Sequence, residues 1–218
     1  MKNFQVEQSK IIAQKFLPLY FHPDLNVCIK ILQLLYEFKV YYFEFTNRGE
    51  NAPQVFAELQ KYTKKKLPKM QLGIGTIKNI QDAQIYLPLN PKFMVSPHFN
   101  FDLHLFVQKN RIFWIPGAFT PTEIYNSLQL NYTLIKIFPA ISLGYNYFKN
   151  LHVVYPNLKT FVSGGIDINP ISLKNWMNVG VSLIGIGSTL INDTLVNEKN
   201  WDIFEQNIKI IKRTIKTK

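Results

Sequence analysis

Cysteine is nearly missing from this 218-residue chain: Cys28 stands alone, which excludes an intrachain disulfide and most zinc sites. The four histidines, His22, His98, His104 and His152, fall at no metal-ligand spacing. No run approaches the roughly 18 uninterrupted apolar residues of a membrane-spanning helix. The opening residues Met1–Glu7 lack the apolar region of a signal peptide, so a soluble cytoplasmic protein is expected. Acidic residues are scarce, 14 against 25 Lys and Arg, for a net charge of +11. No linker or low-complexity tract interrupts the chain, and one domain over residues 1–218 is expected. With 47% apolar residues, intrinsic disorder is excluded.

The positive charge raises the question of nucleic acid. The cations are spread out, however, with dense spots only at Lys64–Lys66 and in the tail Lys209, Lys212, Arg213, Lys216 and Lys218. Both spots suit helix C-termini, where cations oppose the negative end of the dipole. A solvated surface is expected, with no nucleic-acid or membrane partner, and its field would gather small anions.

Short apolar, β-rich runs recur every 20 to 30 residues, about the length of a strand, a helix and two loops. Strands are expected at Leu17–Phe21, Tyr41–Thr46, Gln71–Gly75, Phe93–Ser96, Ile112–Ile115, Leu134–Phe138, Thr160–Ser163 and Ser182–Gly187. Helical patterns fill the intervals. A final helix is expected over Asn200–Ile215, with Phe204, Ile208, Ile211 and Ile215 at helical spacing. Continuous apolar strands suit a parallel sheet covered on both faces. Eight units in one chain of this length point to a (β/α)8 barrel, against the alternative of an open doubly wound sheet. An extra N-terminal helix over Phe4–Lys15 would close its bottom.

Ionisable residues inside such strands need explaining, because chemistry in these barrels gathers at the C-terminal strand ends. Lys136 lies within Leu134-Ile135-Lys136-Ile137-Phe138-Pro139. A buried amine is costly unless it is paired or neutral, and a neutral amine is what a Schiff-base nucleophile requires. Its competing explanation is an edge position with the ammonium reaching solvent. In Tyr42-Phe43-Glu44-Phe45-Thr46-Asn47-Arg48-Gly49, strand alternation puts Tyr42, Glu44 and Thr46 on one face. If Phe43 and Phe45 meet the helices, Glu44 points inward, where a desolvated carboxyl can exchange protons near neutrality. Arg48, just beyond, offers a fork for a substrate carboxylate, or simply pairs with Glu44. Ser163-Gly164-Gly165 follows strand seven and Gly185-Ile186-Gly187-Ser188 ends strand eight before a helical turn. Loops at these two positions often bind phosphate. Gly73-Ile74-Gly75-Thr76, Ser96-Pro97 and Pro116-Gly117 mark the ends of strands three to five and could shape a pocket floor, or be turns. Cys28 is read as a small core residue within a helix.

Together with Thr120-Pro121-Thr122-Glu123, these motifs, in this order over nearly the whole chain, resemble the class I 2-keto-3-deoxy-6-phosphogluconate (KDPG) and 4-hydroxy-2-oxoglutarate (KHG) aldolases. The resemblance implies a Schiff base on Lys136 and a proton shuttle at Glu44. It implies that Arg48 and Thr76 hold the pyruvate portion, with Pro97 and Phe138 around it. Ser163 stands where threonine is usual and keeps the hydroxyl; Gly164, Gly165, Gly187 and Ser188 would hold phosphate. The implied reaction cleaves a phosphorylated keto acid into pyruvate and glyceraldehyde 3-phosphate, with 4-hydroxy-2-oxoglutarate or the phosphogalactonate epimer as alternative substrates. A catalytically weakened barrel that binds phosphate ligands or nucleic acid is the reading from another class. The family implies a homotrimer and no cofactor or metal. The chain departs from it where Gly/Ala-rich stretches often precede strands two, four and six: here stand Glu37-Phe38-Lys39, Leu89-Asn90-Pro91 and Gln129-Leu130-Asn131. His98-Phe99-Asn100 replaces smaller residues and could alter the pocket.

Overall fold

Residues 2–215 are described by a computed structural model, with side chains from Phe4 onward; Met1 and the tail cations Lys216 and Lys218 lie outside the described residues. The chain runs α1 (Lys2–Ala13), β1 (Phe16–Tyr20), α2 (Leu25–Glu37), β2 (Tyr42–Thr46), α3 (Ala52–Lys66), β3 (Gln71–Gly75), α4 (Ile80–Tyr86), β4 (Met94–Val95) and α5 (Phe101–Lys109). It continues β5 (Trp114–Ile115), β6 (Gly117–Ala118), α6 (Pro121–Gln129), β7 (Leu134–Ile137), α7 (Gly144–Val154), β8 (Lys159–Val162), α8 (Pro170–Asn178), β9 (Leu183–Ile186), α9 (Asp193–Asn197) and α10 (Trp201–Ile215).

All strand pairs are parallel, in the order β5-β4-β3-β2-β1-β9-β8-β7-β6. The two end members are one stave. β5 and β6 flank Pro116, which has no amide hydrogen to continue the ladder. Their carbonyls reach opposite neighbours: Ser96 N–H donates to Ile115 O at 3.1 Å, while Lys136 N–H donates to Pro116 O at 2.8 Å. The ring therefore closes as a barrel of eight staves with the fifth divided. The sequence pattern ends that stave at Ile115; the structure carries it through to Ala118, so Gly117 is a strand residue rather than a loop residue.

Helix starts follow side-chain chemistry. Asp24, Asn79, Asn100, Asn169 and Asn192 each accept a backbone N–H at their helix N-terminus, and Thr120 forms a reciprocal capping box with Glu123. Each cap is worth about 1 kcal/mol. Lys64–Lys66 occupy the last turn of α3, as expected of solvated helix-end cations. α10 buries Phe204, Ile208, Ile211 and Ile215 along one face.

Alternation along the strands divides the core in two. Phe43, Phe45, Leu72, Ile74, Ile135 and Ile137 point outward into the layer shared with the helices. Leu17, Tyr42, Phe93, Phe113, Leu134, Phe161 and Leu183 fill the barrel, with Ile11 of α1 beneath them. α1 thus plugs the N-terminal end, fixed by Glu7, which accepts from Tyr42 Oη at 2.7 Å and pairs with Lys92 at 2.9 Å. Cys28 is buried, its Sγ 3.4 Å from His22 O, and burial pushes its thiol up to about 12.

Candidate active site

The inward alternation of β2 and β7 brings two charges together. Glu44 is 1% exposed and Lys136 6%; Lys136 Nζ lies 3.5 Å from Glu44 Oε1. The Lys136 side chain neither reaches bulk solvent nor sits on an edge, since β7 is paired on both sides by β6 and β8. Its ammonium end lies 5.5 Å from the ring centres of both Phe138 and Phe161, an apolar collar that also attracts a cation. At 3.5 Å the pair is an ion contact rather than a tight hydrogen bond, so the amine keeps room for another partner.

Room for Glu44 comes from β3. A Cβ on Gly75 would stand 1.9 Å from Glu44 Oε1, so only glycine lets the carboxylate occupy this place. Thr76 follows at φ 62°, a left-handed conformation that is costly for a β-branched residue and concentrates at functional sites. The carbonyl of the next residue, Ile77, accepts from Ser96 Oγ at 2.5 Å, and Trp114 Nε1 donates to that hydroxyl at 2.8 Å. This buried clamp fixes the turn that carries Thr76. Pro97 is half-buried, and its carbonyl carbon would lie 2.3 Å from a Cβ on Gly117.

At the C-terminal ends of β1, β2, β7, β8 and β9 a cavity of about 360 Å³ opens. Arg48, Phe138, Ser163, Gly164, Gly165, Gly187 and Ser188 all line it. Gly164 and Gly165 adopt φ of 89° and 75°, which turn the chain back after β8 and set Gly164 against the Phe138 ring. Arg48 is exposed and forms no ion pair with Glu44, whose charged partner is Lys136. Thr76 and Pro97 lie outside the cavity lining, on the neighbouring strand ends.

The cavity also has residues that sequence patterns did not single out. Tyr20 Oη donates to Asp193 Oδ1 at 3.1 Å across its rim. Burial, then the Asp193 carboxylate, pushes the Tyr20 phenol far above its ordinary range, so it remains a donor. Outside the cavity lining, Phe161 beside Lys136 could have been found from β8 alternation, which puts it on one face with Ser163. Asp193 had no local signal, because the five-residue α9 brings it in from beyond the last strand.

A buried amine beside a carboxylate, neither of them part of the cavity lining but at the same end of the barrel as its arginine and two glycine–serine turns, can form and proton-shuttle an imine on a small keto acid. The sequence matches the family described as KDPG and KHG aldolase over residues 8–207. The 2-dehydro-3-deoxy-phosphogluconate aldolase of Pseudoalteromonas atlantica is 25% identical over 203 residues, covering 92% of each chain. The 2-dehydro-3-deoxy-6-phosphogalactonate aldolase of Escherichia coli is 27% identical over 123 residues, 56% of this chain and 59% of that protein's length. A crystal structure of KDPG aldolase from Legionella pneumophila, with pyruvate captured as a covalent carbinolamine, superposes with a TM-score of 0.83 at 22% identity, covering 92% of this chain and 96% of that one. That likeness shows the fold, and the family match over 8–207 takes in both members of the buried pair: the chain belongs to the KDPG and KHG aldolase family.

Proposed function

We propose that this protein is a Schiff-base aldolase cleaving 2-dehydro-3-deoxy-6-phosphogluconate to pyruvate and glyceraldehyde 3-phosphate. The observation that carries the reading is the Lys136–Glu44 pair, 3.5 Å apart and shielded from solvent in the barrel interior. Lys136, neutral at the moment of attack, adds to the C2 carbonyl to give a carbinolamine, which loses water to an iminium. The iminium nitrogen draws in the electrons of the C3–C4 bond as the C4 hydroxyl gives its proton to Glu44. The aldehyde leaves, and Glu44 returns that proton to C3 of the enamine. Water then releases pyruvate. Arg48 and Thr76 orient the substrate carboxylate, with Pro97 and Phe138 packing around the pyruvate portion. Ser163, Gly164, Gly165, Gly187 and Ser188 hold the phosphate, whose binding orients the reacting end.

One feature favours a second substrate reading. Asp193 lines the same cavity as Gly187 and Ser188, and a carboxylate there opposes a dianionic phosphate more than a monoanionic carboxylate. 4-Hydroxy-2-oxoglutarate therefore stands beside the phosphorylated gluconate and galactonate acids. Turnover on the three substrates ranks them. Borohydride treatment with and without pyruvate, followed by peptide mapping, tests the chemistry: a pyruvate-dependent adduct on Lys136 is expected, and its absence would overturn the aldolase reading. A homotrimer in the cytoplasm completes the proposal, supported by family membership and by the lack, among the described residues, of any helix long and apolar enough to cross a membrane. Sedimentation measures the assembly.

A further inference from the structure

Lys136 occupies only one oxygen of Glu44. The other, Oε2, is buried with no hydrogen-bond partner among the described residues, and so is Thr46 Oγ1, two residues further along the same inward face of β2. Thr46 is 1% exposed. Two further buried polar atoms lack partners, Ser127 Oγ on α6 and Trp176 Nε1 on α8, and both lie in the helical shell; Glu44 and Thr46 are the two on the barrel's inner face.

Leaving a hydroxyl buried without a partner is unfavourable, and packing alone would be met as well by valine, which has the same shape. A carboxylate only accepts hydrogen bonds, whereas a threonine hydroxyl both donates and accepts. The side-chain stems rise from the strand roughly 6.6 Å apart. One water, bonded at about 2.8 Å to each oxygen, bridges that span once the side chains lean together. It would donate to Glu44 Oε2 and accept from Thr46 Oγ1, leaving one hydrogen and one lone pair for the reacting carbon.

We infer that Thr46 is a positioning residue that holds the water through which Glu44 exchanges protons with C3 of the Lys136-bound substrate. The inference rests on the Schiff-base reading and adds to it a residue and a path. As the iminium of pyruvate becomes the enamine, the C3 proton passes to the water oxygen while one of the water's own protons passes to Glu44. The reverse transfer regenerates water, carboxylate and methyl group, so no net proton or electron is consumed. Thr46 stays protonated throughout and fixes only the direction in which the water points.

Pyruvate alone isolates this step, since it has no C4 hydroxyl and its methyl protons exchange with deuterated water only through the enamine. Thr46→Val should form the borohydride adduct on Lys136 as fully as the wild type. Its methyl exchange, followed by proton NMR, should slow roughly tenfold or more, as expected when a proton carrier loses its orientation. Its thermal midpoint should stay close to that of the wild type, because valine keeps the shape and packing of threonine. Thr46→Ser, which keeps the hydroxyl, should restore exchange to within about twofold. A purely structural threonine would give the opposite pattern, with stability lost and exchange kept. Should Thr46→Val not fold, Thr46→Ala is held to the same exchange criterion. Adduct formation with unchanged exchange in the hydroxyl-free variant, or slow exchange in Thr46→Ser, would overturn this inference alone. No adduct on the wild-type protein would overturn it together with the aldolase reading.

Discussion

Gly75→Ala places a methyl group where the carboxylate of Glu44 now lies. The new Cβ would stand 1.9 Å from Oε1, 2.6 Å from Cδ and 2.7 Å from Cγ, against an ordinary contact of 3.4 Å or more. Glu44 must therefore retreat by about 1.5 Å, the difference between 3.4 and 1.9 Å, or β3 must shift away from β2. β3 cannot shift freely, because it is paired with β2 along its whole length and its outward side chains Leu72 and Ile74 are buried against the helices. The carboxylate moves instead, out of its present place beside Lys136. A misplacement of this size near reacting atoms costs about 100-fold in rate. Overpacking should also lower stability by roughly 1–3 kcal/mol. The assay pairs turnover on the phosphorylated keto acid with borohydride trapping of pyruvate. Turnover should fall by about two orders of magnitude while Lys136 is still labelled, because the amine itself is untouched. Gly73→Ala is the control on the same face of the same strand. Its Cβ would meet the fully buried Phe93 ring at 2.2 Å, so it should lose stability first and keep more activity per folded molecule. Turnover of Gly75→Ala within threefold of the wild type would refute the reasoning.

Replacing Lys136 with Met should abolish adduct formation and leave Glu44 as an uncompensated buried charge, at a cost of about 3–5 kcal/mol by urea unfolding. Adding Glu44→Gln should recover most of that loss, which a purely steric effect of Met would not allow. Lys39 adopts φ 57° where α2 hands over to β2, so Lys39→Gly should raise stability by about 1 kcal/mol, read as a higher thermal midpoint with turnover unchanged. Two carboxylates should make the fold acid-sensitive. Burial pushes the Glu123 carboxyl up, but the Phe119 and Thr120 amides and the Thr120 hydroxyl outweigh it and hold the group below its usual range. Glu7 is likewise raised by burial and then lowered further by Tyr42 and Lys92. Because both folded-state values are depressed, their stabilisation is full above the unfolded value of about 4.3 and disappears as pH falls through the folded values. Glu123→Gln should accordingly be less stable than the wild type at pH 7, with the gap in urea midpoint closing at pH 3.

The strand-and-helix alternation was legible because the staves bury both faces and α2, α4, α5, α6, α8 and α9 each begin at a polar side-chain cap. The meeting of Glu44 and Lys136 was legible too: each sits on the inward phase of its strand, marked by Phe43 and Phe45 on β2 and by Ile135 and Ile137 on β7. Other features depend on partners far away in the chain. Pro116 reads as a strand end because it cannot donate to a ladder, yet its carbonyl receives Lys136 N–H and the stave resumes beyond it. Gly75 reads as a turn glycine until Glu44 is placed beside it. Tyr20 and Asp193 carry no local pattern, and only the barrel's closure brings β1 and α9 to one rim. Lys39 and Asn131 occupy left-handed positions, φ 57° and 64°, that composition alone would assign to glycine.

The two ends of the barrel treat polar groups in opposite ways, and this contrast locates the chemistry without reference to any relative. At the N-terminal end the Gln14 amide donates to the carbonyls of Phe16 and Tyr42 and accepts from the amides of Tyr41 and Tyr42, all within 2.9 Å. Glu7, Tyr42 and Lys92 are likewise mutually satisfied. These polar groups already have their partners within the protein. At the C-terminal end lie a buried ion pair at 3.5 Å, two orphaned oxygens and a left-handed threonine. Each of these is unfavourable in isolation. A fold selected for stability alone would replace them with apolar side chains, as it does elsewhere on the inner face at Leu134, Phe161 and Leu183. Their persistence together at one end of the barrel is accounted for if the missing hydrogen bonds and the open side of the amine are completed by a bound keto acid and its proton carrier. Binding of a substrate or product that supplies those bonds should then stabilise the protein well beyond the effect of the same concentration of inorganic phosphate. Equal stabilisation by pyruvate in wild-type protein and in Lys136→Met would break this link between the unsatisfied layer and catalysis.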